Sequence, residues 1–556
     1  MPPPDPEEIA AKRAARQAKK EALRSVKEAA APVVHEDPRA RFLRREWGIV
    51  SQESSAPSSR SDRRTIKILT WNMLAQCLVR RDLFPGSDCL KWKERHPALL
   101  AQLTSYDCDV ICLQEVDAQY MSALYGKLFA ERGYDWTSFT GYSNKKHGLM
   151  IAWRSSLLER VDVELHEPLL SEAAAPSGIA PGSMGVRGIR LDELPLNLSP
   201  NSEPGSPLAG GGLSRVTRNV GLLVALRYRK STSESEAGTP PGLLVSTHHL
   251  FWHPAYAYER TRQVGVLLHE MERFRQDVNE RLGFGSEVHW DAIFAGDFNT
   301  QPCEATYRLI TGGPLSELQF SGLRTGAATV HTSVDTLRER LRSSEPHATH
   351  PSEEDDEEVG EDEGKQDEVG ESQEEGDPDR VRKNIRPARL EDGMHSIDDF
   401  QNAFLSSSSG PKWSSAYGTA YGRVDGTERE WYGGRAGGMW MRDVPKEGDE
   451  PAKGEMRHVG SEDLEVGEHA WKAMPEEDQI KAGRFEPLWT NFTPYWRCTL
   501  DYIFFRSRPV SSESSSSPSS VRSLLRIHEG QVMEPGLPRL GKEPSDHILL
   551  AAEIDF

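Results

Sequence analysis

Eight polar residues stand where short apolar runs of this sequence end or begin: Asn72 after TIKILTW, Glu115 after DVICLQ, His249 after GLLVSTH, Asp297 and Asn299 closing DAIFAGDFN, Asp501 in LDYIFF, and Asp546 with His547 just before ILLAAEI. Such a set supplies carboxylates for a hard divalent cation, amides that orient, and imidazoles that neutralise phosphate charge or move protons, which suits metal-assisted phosphoester cleavage. Singly, each residue has an ordinary explanation, an Asn as turn chemistry or a Glu as a helix start. Their recurrence at the ends of apolar runs is what carries meaning, because ligands of open α/β scaffolds bind where strand ends gather. Close carboxylates also raise one another's pKa unless a divalent cation neutralises them, so the metal-free site should be electrostatically unfavourable.

The runs themselves have the length and β-branched content of strands: 65–74, 109–116, 148–154, 219–228, 242–249, 291–299, 500–505 and 548–554. Amphipathic stretches at Leu90–Ser105, Tyr258–Asn279 and Glu304–Thr311 lie between them, which makes the chain α/β. Three segments break the pattern: 171–215, rich in Pro, Gly and Ser; 326–484; and the Ser-rich 507–520. The organisation expected is an irregular basic tail over 1–64, a catalytic domain built from 65–325 and 485–556, and a largely disordered insertion over 326–484. Trp413, Tyr417, Tyr421, Trp431, Tyr432 and Trp440 are unusual in a disordered region and point to docking of part of that insertion on the core.

The chain has 556 residues, of which 37% are hydrophobic and 28% charged, the balance of a core with solvated insertions. Its net charge of −19 would oppose a polyanionic partner if evenly spread, but residues 353–377 alone carry 15 acidic residues and one Lys, leaving −5 to the rest. Six cysteines form no framework or zinc-cage spacing, and a reducing compartment is expected. No stretch is apolar enough to span a bilayer, and the start MPPPDPEE is unlike a secretory leader, so a soluble, intracellular protein without membrane association is expected. The seven Lys and Arg between Lys12 and Lys27 read first as a solvated face.

The sequence also resembles a known family, the exonuclease-endonuclease-phosphatase superfamily, through TWNML at 70–74, LQEV at 113–116, STHH at 246–249, AGDFNTQP at 295–302, LDYIFF at 500–505 and SDH at 545–547, all in the family's order. Within it the chain is similar to the deadenylase-like branch of nocturnin, the angel proteins and the yeast Ngl-type RNA exonucleases. The strings are LKWKERHPALLAQL at 90–103, Phe251-Trp252-His253-Pro254, GDFNTQPCEATYRLI and WTNFTPYWRCTLDYIFF. The resemblance implies a four-layer α-β-β-α sandwich of two packed mixed β-sheets, with a Mg²⁺ site, Mn²⁺ being an alternative, at one end of the sheets.

Carried over to this numbering, the resemblance makes Glu115 the principal metal ligand with Asn72 beside it and Asp546 as a further carboxylate. Asp297 would orient or deprotonate the attacking water, Asn299 would hold the scissile phosphate, and His547, polarised by Asp501, would donate to a phosphate oxygen. Strand alternation turns His249 to the phosphate and His248 to the opposite face. Pro254 and Trp496 would pinch terminal bases, and stacking tolerates any base, so the pair implies a single-stranded 3′ end without dictating poly(A). Asn219 is a further substrate contact by resemblance, and Lys145, Lys146, Arg218 and Arg497 are candidates to track the backbone. Two features depart from the family: His147-Gly148 stands where relatives often have Asp-Gly, and leucine-rich repeats are absent, so protein partners would be met by another route.

These implications add up to a Mg²⁺-dependent 3′-to-5′ exoribonuclease that acts on single-stranded RNA, poly(A) or a ribosomal RNA precursor, and releases nucleoside 5′-monophosphates. The address expected is nucleus, nucleolus or cytoplasm. Alternatives are a phosphatase of a small phosphorylated metabolite or dinucleotide, and a catalytically inactive RNA-binding scaffold.

Overall fold

The computed structural model describes residues 37–51, 64–161, 185–196, 211–229, 242–285, 288, 290–343, 383–405, 413–427, 431, 439–441, 457–459, 474–506 and 519–556. The basic run between Lys12 and Lys27 and the acidic tract 353–377 lie outside them.

Two large sheets hold the described chain together. The first contains β1 (Trp47–Ile49), β2 (Thr65–Asn72), β3 (Val110–Asp117), β4 (Tyr134–Phe139), β5 (His147–Arg154), β19 (Ser520–Leu525) and β20 (Leu550–Asp555), in the spatial order β1-β19-β20-β2-β3-β5-β4. The second contains β6 (Leu158–Arg160), β7 (Val186–Arg190), β8 (Val220–Tyr228), β9 (Gly242–His249), β10 (Asp291–Asp297), β13 (Ser414–Ser415) and β18 (Asp501–Arg506), in the order β13-β18-β10-β9-β8-β6, with β7 also on β8. Smaller ladders join β11 (Thr329–His331) to β12 (Ile385–Pro387), and β14 (Met439–Met441) and β15 (Arg457–Val459) to β16 (Asn491–Phe492) and β17 (Trp496–Cys498).

Period-2 alternation decides which side chains meet between the sheets. Ile66, Ile68, Val110 and Cys112 of the first sheet face Val245, Ile293, Ala295 and Ile503 of the second in one apolar cluster. The intervening residues point outwards. Leu69, Trp71, Ile111 and Leu113 pack with Leu99 and Leu103 of α1 (Trp92–Ser105). Leu244, Ala292 and Phe294 pack with Val264, Leu267 and Phe274 of α2 (Ala257–Arg281) and with Leu309 of α3 (Ala305–Thr311). The result is the expected α-β-β-α sandwich. Inside the gap, Gln114 Nε2 donates to Thr70 Oγ1 at 3.1 Å and across it to Thr247 Oγ1 at 2.8 Å, a buried polar tie between the sheets.

Both expected boundaries shift. Trp47–Ile49, assigned to the tail, pairs antiparallel with β19, and the insertion contributes a piece of the core. Ser414–Ser415 pairs with β18, and the short helix α4 (Ala416–Ala420) drops Tyr417 and the following Tyr421 into the inter-sheet cluster. The Tyr417 hydroxyl donates to the Leu525 carbonyl at 2.7 Å, and the Tyr421 hydroxyl accepts the Ile527 N–H at 3.1 Å. Trp413 is buried on the outer face of the second sheet, while Tyr432 lies outside the described residues. Tyr417→Phe should lower unfolding free energy by about 1–2 kcal/mol, the cost of leaving a buried carbonyl without its donor, with urea denaturation as the readout. An unchanged midpoint would mean the hydroxyl contributes nothing to docking.

Candidate active site

Strand direction brings the polar ends together. β2 and β3 run parallel, β9 and β10 run parallel, and the flanking strands β20, β5, β18 and β8 run against them. The C-terminal ends of the first four and the N-terminal ends of the others therefore share one rim of the sandwich. Across the gap they face in register as three rungs: β18 with β20, β10 with β2, and β9 with β3.

On the first rung, His547 Nδ1 and Asp501 Oδ2 are 2.8 Å apart. Asp501 is held in turn by Thr490, whose hydroxyl donates to Asp501 Oδ2 at 2.6 Å and accepts the Asp501 N–H at 3.0 Å. On the second, Asn72 Nδ2 donates to Asp297 Oδ2 at 3.0 Å and also to Glu115 Oε1 at 2.8 Å, tying the second rung to the third. On the third, His249 Nδ1 is 3.8 Å from Glu115 Oε1, and His249 Nε2 is 3.6 Å from Asp297 Oδ2. His547 Nε2 lies 3.8 Å from the same Asp297 oxygen, so two imidazoles and one amide converge on one carboxylate.

Local backbone sets these directions. The β3–β5 register slips between Leu113 and Val116, and within that bulge Glu115 has φ +52°, a left-handed conformation that costs a non-glycine residue about 1–3 kcal/mol and turns its carboxylate into the gap. The Ala75 N–H then fixes Glu115 Oε2 at 3.0 Å. Asn299 has φ +47°, donates its N–H to Asp297 Oδ1 at 2.9 Å and its side-chain amide to the Leu250 carbonyl at 2.9 Å. Gly296 allows β9 to come close: a Cβ there would lie 2.5 Å from the His248 carbonyl oxygen.

Burial and mutual repulsion shape the charges. Burial, with Asp501 directly opposite in the β10–β18 ladder, pushes the Asp297 carboxyl up to about 6 despite its histidine and Asn72 partners. Burial and the nearby Asp546 carboxylate raise Glu115 as well. Burial drives His249 down to about 4, so it is neutral at pH 7. Burial also opposes charge on His547, but the Asp501 and Asp297 carboxylates outweigh it and hold the imidazole well above its ordinary range.

A divalent cation fits this set. Asp297, Asp501 and His547 offer ligand atoms within 4.8 Å of one another, Glu115 shares the Asn72 amide with Asp297, and Asp501 Oδ1 is buried with no hydrogen-bond partner among the described residues. The donors beyond His547 are carboxylate oxygens, the preference of Mg²⁺ and Mn²⁺. His547 already faces Asp501 through Nδ1, which leaves Glu115 and Asp297 as the better-placed holders; Asn72, expected beside them as a ligand, turns its amide N–H to both carboxylates while its Oδ1 accepts the Leu74 N–H at 3.0 Å. Asp546 accepts from Asn491 Nδ2 at 3.3 Å and from Ser545 Oγ at 3.4 Å, beside rather than within the three rungs.

The remaining candidates are more peripheral. Pro254 is exposed at the turn into α2, and Trp496 is half-buried on β17, each outside the hydrogen-bonded set. Asn219 is buried and donates its amide to the His249 carbonyl at 2.9 Å, so it positions that histidine's main chain. His248 turns to the outer face of the second sheet, with its ring 4.2 Å from that of Phe298. Sequence reasoning missed Thr490 and Asn491, whose only signal was their place in WTNFTP, close to the LDYIFF motif.

Residues 69–352 match the Endonuclease/Exonuclease/phosphatase family. RNA exonuclease NGL2 of Saccharomyces cerevisiae is 27% identical over 572 aligned residues, covering 99% of this chain and 89% of that protein. The probable RNA exonuclease C9B6.11c of Schizosaccharomyces pombe is 25% identical over 88% of this chain and 76% of its own length. A crystal structure of ANGEL2, titled a 2′,3′-cyclic phosphatase, aligns with a TM-score of 0.47 and 15% identity, covering 93% of this chain and 99% of that one. With its strand ends arranged in facing rungs and its sequence matched across more than half its length, the chain belongs to the endonuclease/exonuclease/phosphatase family, metal-dependent hydrolases of phosphoesters, in the deadenylase-like branch.

Proposed function

We propose that this chain is a divalent-metal-dependent 3′-to-5′ exoribonuclease, which removes nucleoside 5′-monophosphates from single-stranded RNA ends. The observation that carries the reading is the convergence of Asp501, His547, Asp297, Asn72, Glu115 and His249 on one buried rim, supported by relatives named as RNA exonucleases.

Each residue has work matched to its geometry. Asp297, with its Oδ1 fixed by the Asn299 N–H, presents Oδ2 to accept a proton from the attacking water, and a carboxyl near pH 6 is a better base than one near 4. His547 carries a proton on Nε2 because Asp501 holds Nδ1, so it donates to a non-bridging phosphate oxygen as negative charge accumulates. Neutral His249 and the Asn299 amide orient the phosphate without adding charge. Glu115 and Asp297, spaced by the Asn72 amide that donates to both, would hold a Mg²⁺ or Mn²⁺ ion, which when bound supplies Lewis-acid stabilisation of the transition-state charge. Pro254 and Trp496 supply surfaces against which terminal bases rest.

The test pairs 5′-labelled single-stranded RNA with soluble phosphoesters, each with Mg²⁺, Mn²⁺ or chelator. A ladder shortening one nucleotide at a time, lost on chelation, is the expected outcome. Free phosphate from the small substrates with intact RNA would overturn the exoribonuclease reading in favour of a phosphatase, and inactivity on both would leave an RNA-binding scaffold.

A further inference from the structure

The row of facing strand ends does not stop at Glu115 and His249. One strand further out in each sheet, β5 lies beside β3 and β8 beside β9, and the segments leading into β5 and β8 meet as a fourth rung. There Lys145 Nζ donates to the Arg218 carbonyl at 2.9 Å. The carbonyl of the next residue, Lys146, accepts the Ala118 N–H at 2.8 Å, which fixes the loop beside the end of β3. Asn219, next to Arg218, ties to the His249 carbonyl, so the fourth rung is anchored to the third in both sheets.

The arginine is held in place. Its guanidinium sits 4.8 Å from the Tyr142 ring centroid, with Arg190 5.0 Å from the same ring, and it donates to the Asn144 side chain. Its backbone has φ +57°, a conformation kept by the buried Asp192 carboxylate, which accepts the N–H groups of Thr217 and Arg218. Arg497, another of the basic candidates, is engaged elsewhere: it forms a two-pronged pair with Glu534 and lies 4.1 Å over Phe492.

Charge changes sign along the row. The first three rungs carry the Asp501, Asp297 and Glu115 carboxylates against the cationic His547, whereas the fourth carries an ammonium and a guanidinium. Neighbouring strands are ~4.8 Å apart, so the segments that carry these two residues lie about one strand spacing beyond β3, which holds Glu115, in the first sheet and about two beyond β10, which holds Asp297, in the second.

We propose that Lys145 and Arg218 form a subsite for a second backbone phosphate of the substrate, the one immediately 5′ of the scissile linkage. This rests on the exoribonuclease reading: the terminal nucleotide ends in a free hydroxyl, so the next phosphate available lies upstream. A guanidinium already stacked and bonded loses little freedom on binding, and an ammonium beside it supplies a point charge, the pairing suited to one phosphodiester.

The test compares two RNA trinucleotides on the full-length chain with its metal. In one, the linkage 5′ of the scissile bond is a native phosphodiester; in the other it is a neutral methylphosphonate. Wild type should favour the native substrate by about 10-fold or more in kcat/KM, mainly through KM, as expected for one charge-assisted interaction. In Lys145→Gln/Arg218→Gln the preference should fall to within about twofold, and the slope of log(kcat/KM) against log salt should flatten by about 0.7 for each phosphate that the variant no longer neutralises. Lys145→Gln alone should reduce the preference in part and keeps the test open should the double variant fail to fold. A wild type that cleaves both trinucleotides equally well, or variants that keep the full preference, would overturn the subsite alone. Failure of wild type to cleave either one, with phosphate released from small phosphoesters, would overturn the exoribonuclease reading and the subsite with it.

Discussion

Asp297→Asn should abolish turnover and at the same time raise the melting temperature of the metal-free protein at neutral pH. The two effects have one cause. Burial and the facing Asp501 carboxylate hold Asp297 near 6 in the folded state against an ordinary value of 3.8. A carboxyl with a raised folded pKa stabilises the fold while protonated, and that contribution is lost as pH rises through about 6. At pH 7.5 the ionised Asp297 therefore destabilises the metal-free fold, by about 1–3 kcal/mol, and a neutral asparagine of the same shape removes that cost. The loss of its attraction for His547 works against this gain, which places the net increase at the lower end. Activity should fall by at least about 10³-fold, because the proton acceptor is gone. Melting curves from pH 3 to 8 provide the check: the variant's advantage should be largest at the alkaline end, shrink as pH falls through about 6 and vanish below the ordinary value of 3.8. Equal stability across that range would mean that Asp297 is not electrostatically burdened.

The second large effect is expected for Asp501→Asn. His547 is kept charged chiefly by Asp501, with Asp297 as the next partner, against the pull of burial. A folded pKa above the ordinary 6.5 means that the pair stabilises the fold fully below pH 6.5 and that this is lost as pH rises through the folded value. An asparagine cannot hold the proton on Nδ1 in the same way, so kcat should fall by about 10³–10⁴-fold, the scale seen when an orienting carboxylate is removed from a catalytic histidine. The alkaline limb of the pH–rate profile should also move to lower pH, a change that simple misfolding does not produce. Because the Asp297 carboxylate and the His547 imidazole lie 3.8 Å apart and interact, both limbs report the pair and not one residue. An unchanged alkaline limb would remove His547 from the role of proton donor.

Much of this architecture was legible in the amino-acid sequence because strands buried on both faces leave apolar runs with abrupt polar ends. Gly242–His249 coincides with its run, and Thr65–Asn72 and Val110–Asp117 differ by one or two residues from theirs. Alternation along β9, together with the likeness of HLFWHP to the family's pattern, separated His248 from His249. What escaped was non-local. Thr490 is an unremarkable threonine until the chain turns back through β16 and β17 and its hydroxyl reaches Asp501 at the start of β18. Lys145 and Arg218 are 73 positions apart, and only the exchange of strand order, with β5 beside β3 and β8 beside β9, makes them neighbours. The short strands at Trp47–Ile49 and Ser414–Ser415 carry too few residues for a period to show, and the docking of Tyr417 was visible only as an aromatic out of place in an otherwise polar insertion.

The central claim is that the rungs of the rim hold one divalent ion between Glu115 and Asp297. Anomalous diffraction from crystals grown with Mn²⁺ addresses it directly, with Glu115→Gln crystals as the comparison. A single anomalous peak within bonding distance of the Glu115 carboxylate, absent in the variant along with RNA cleavage, is the predicted result. A peak at another surface, or a Glu115→Gln protein that still binds the ion at this rim and cleaves RNA at the wild-type rate, would contradict the account.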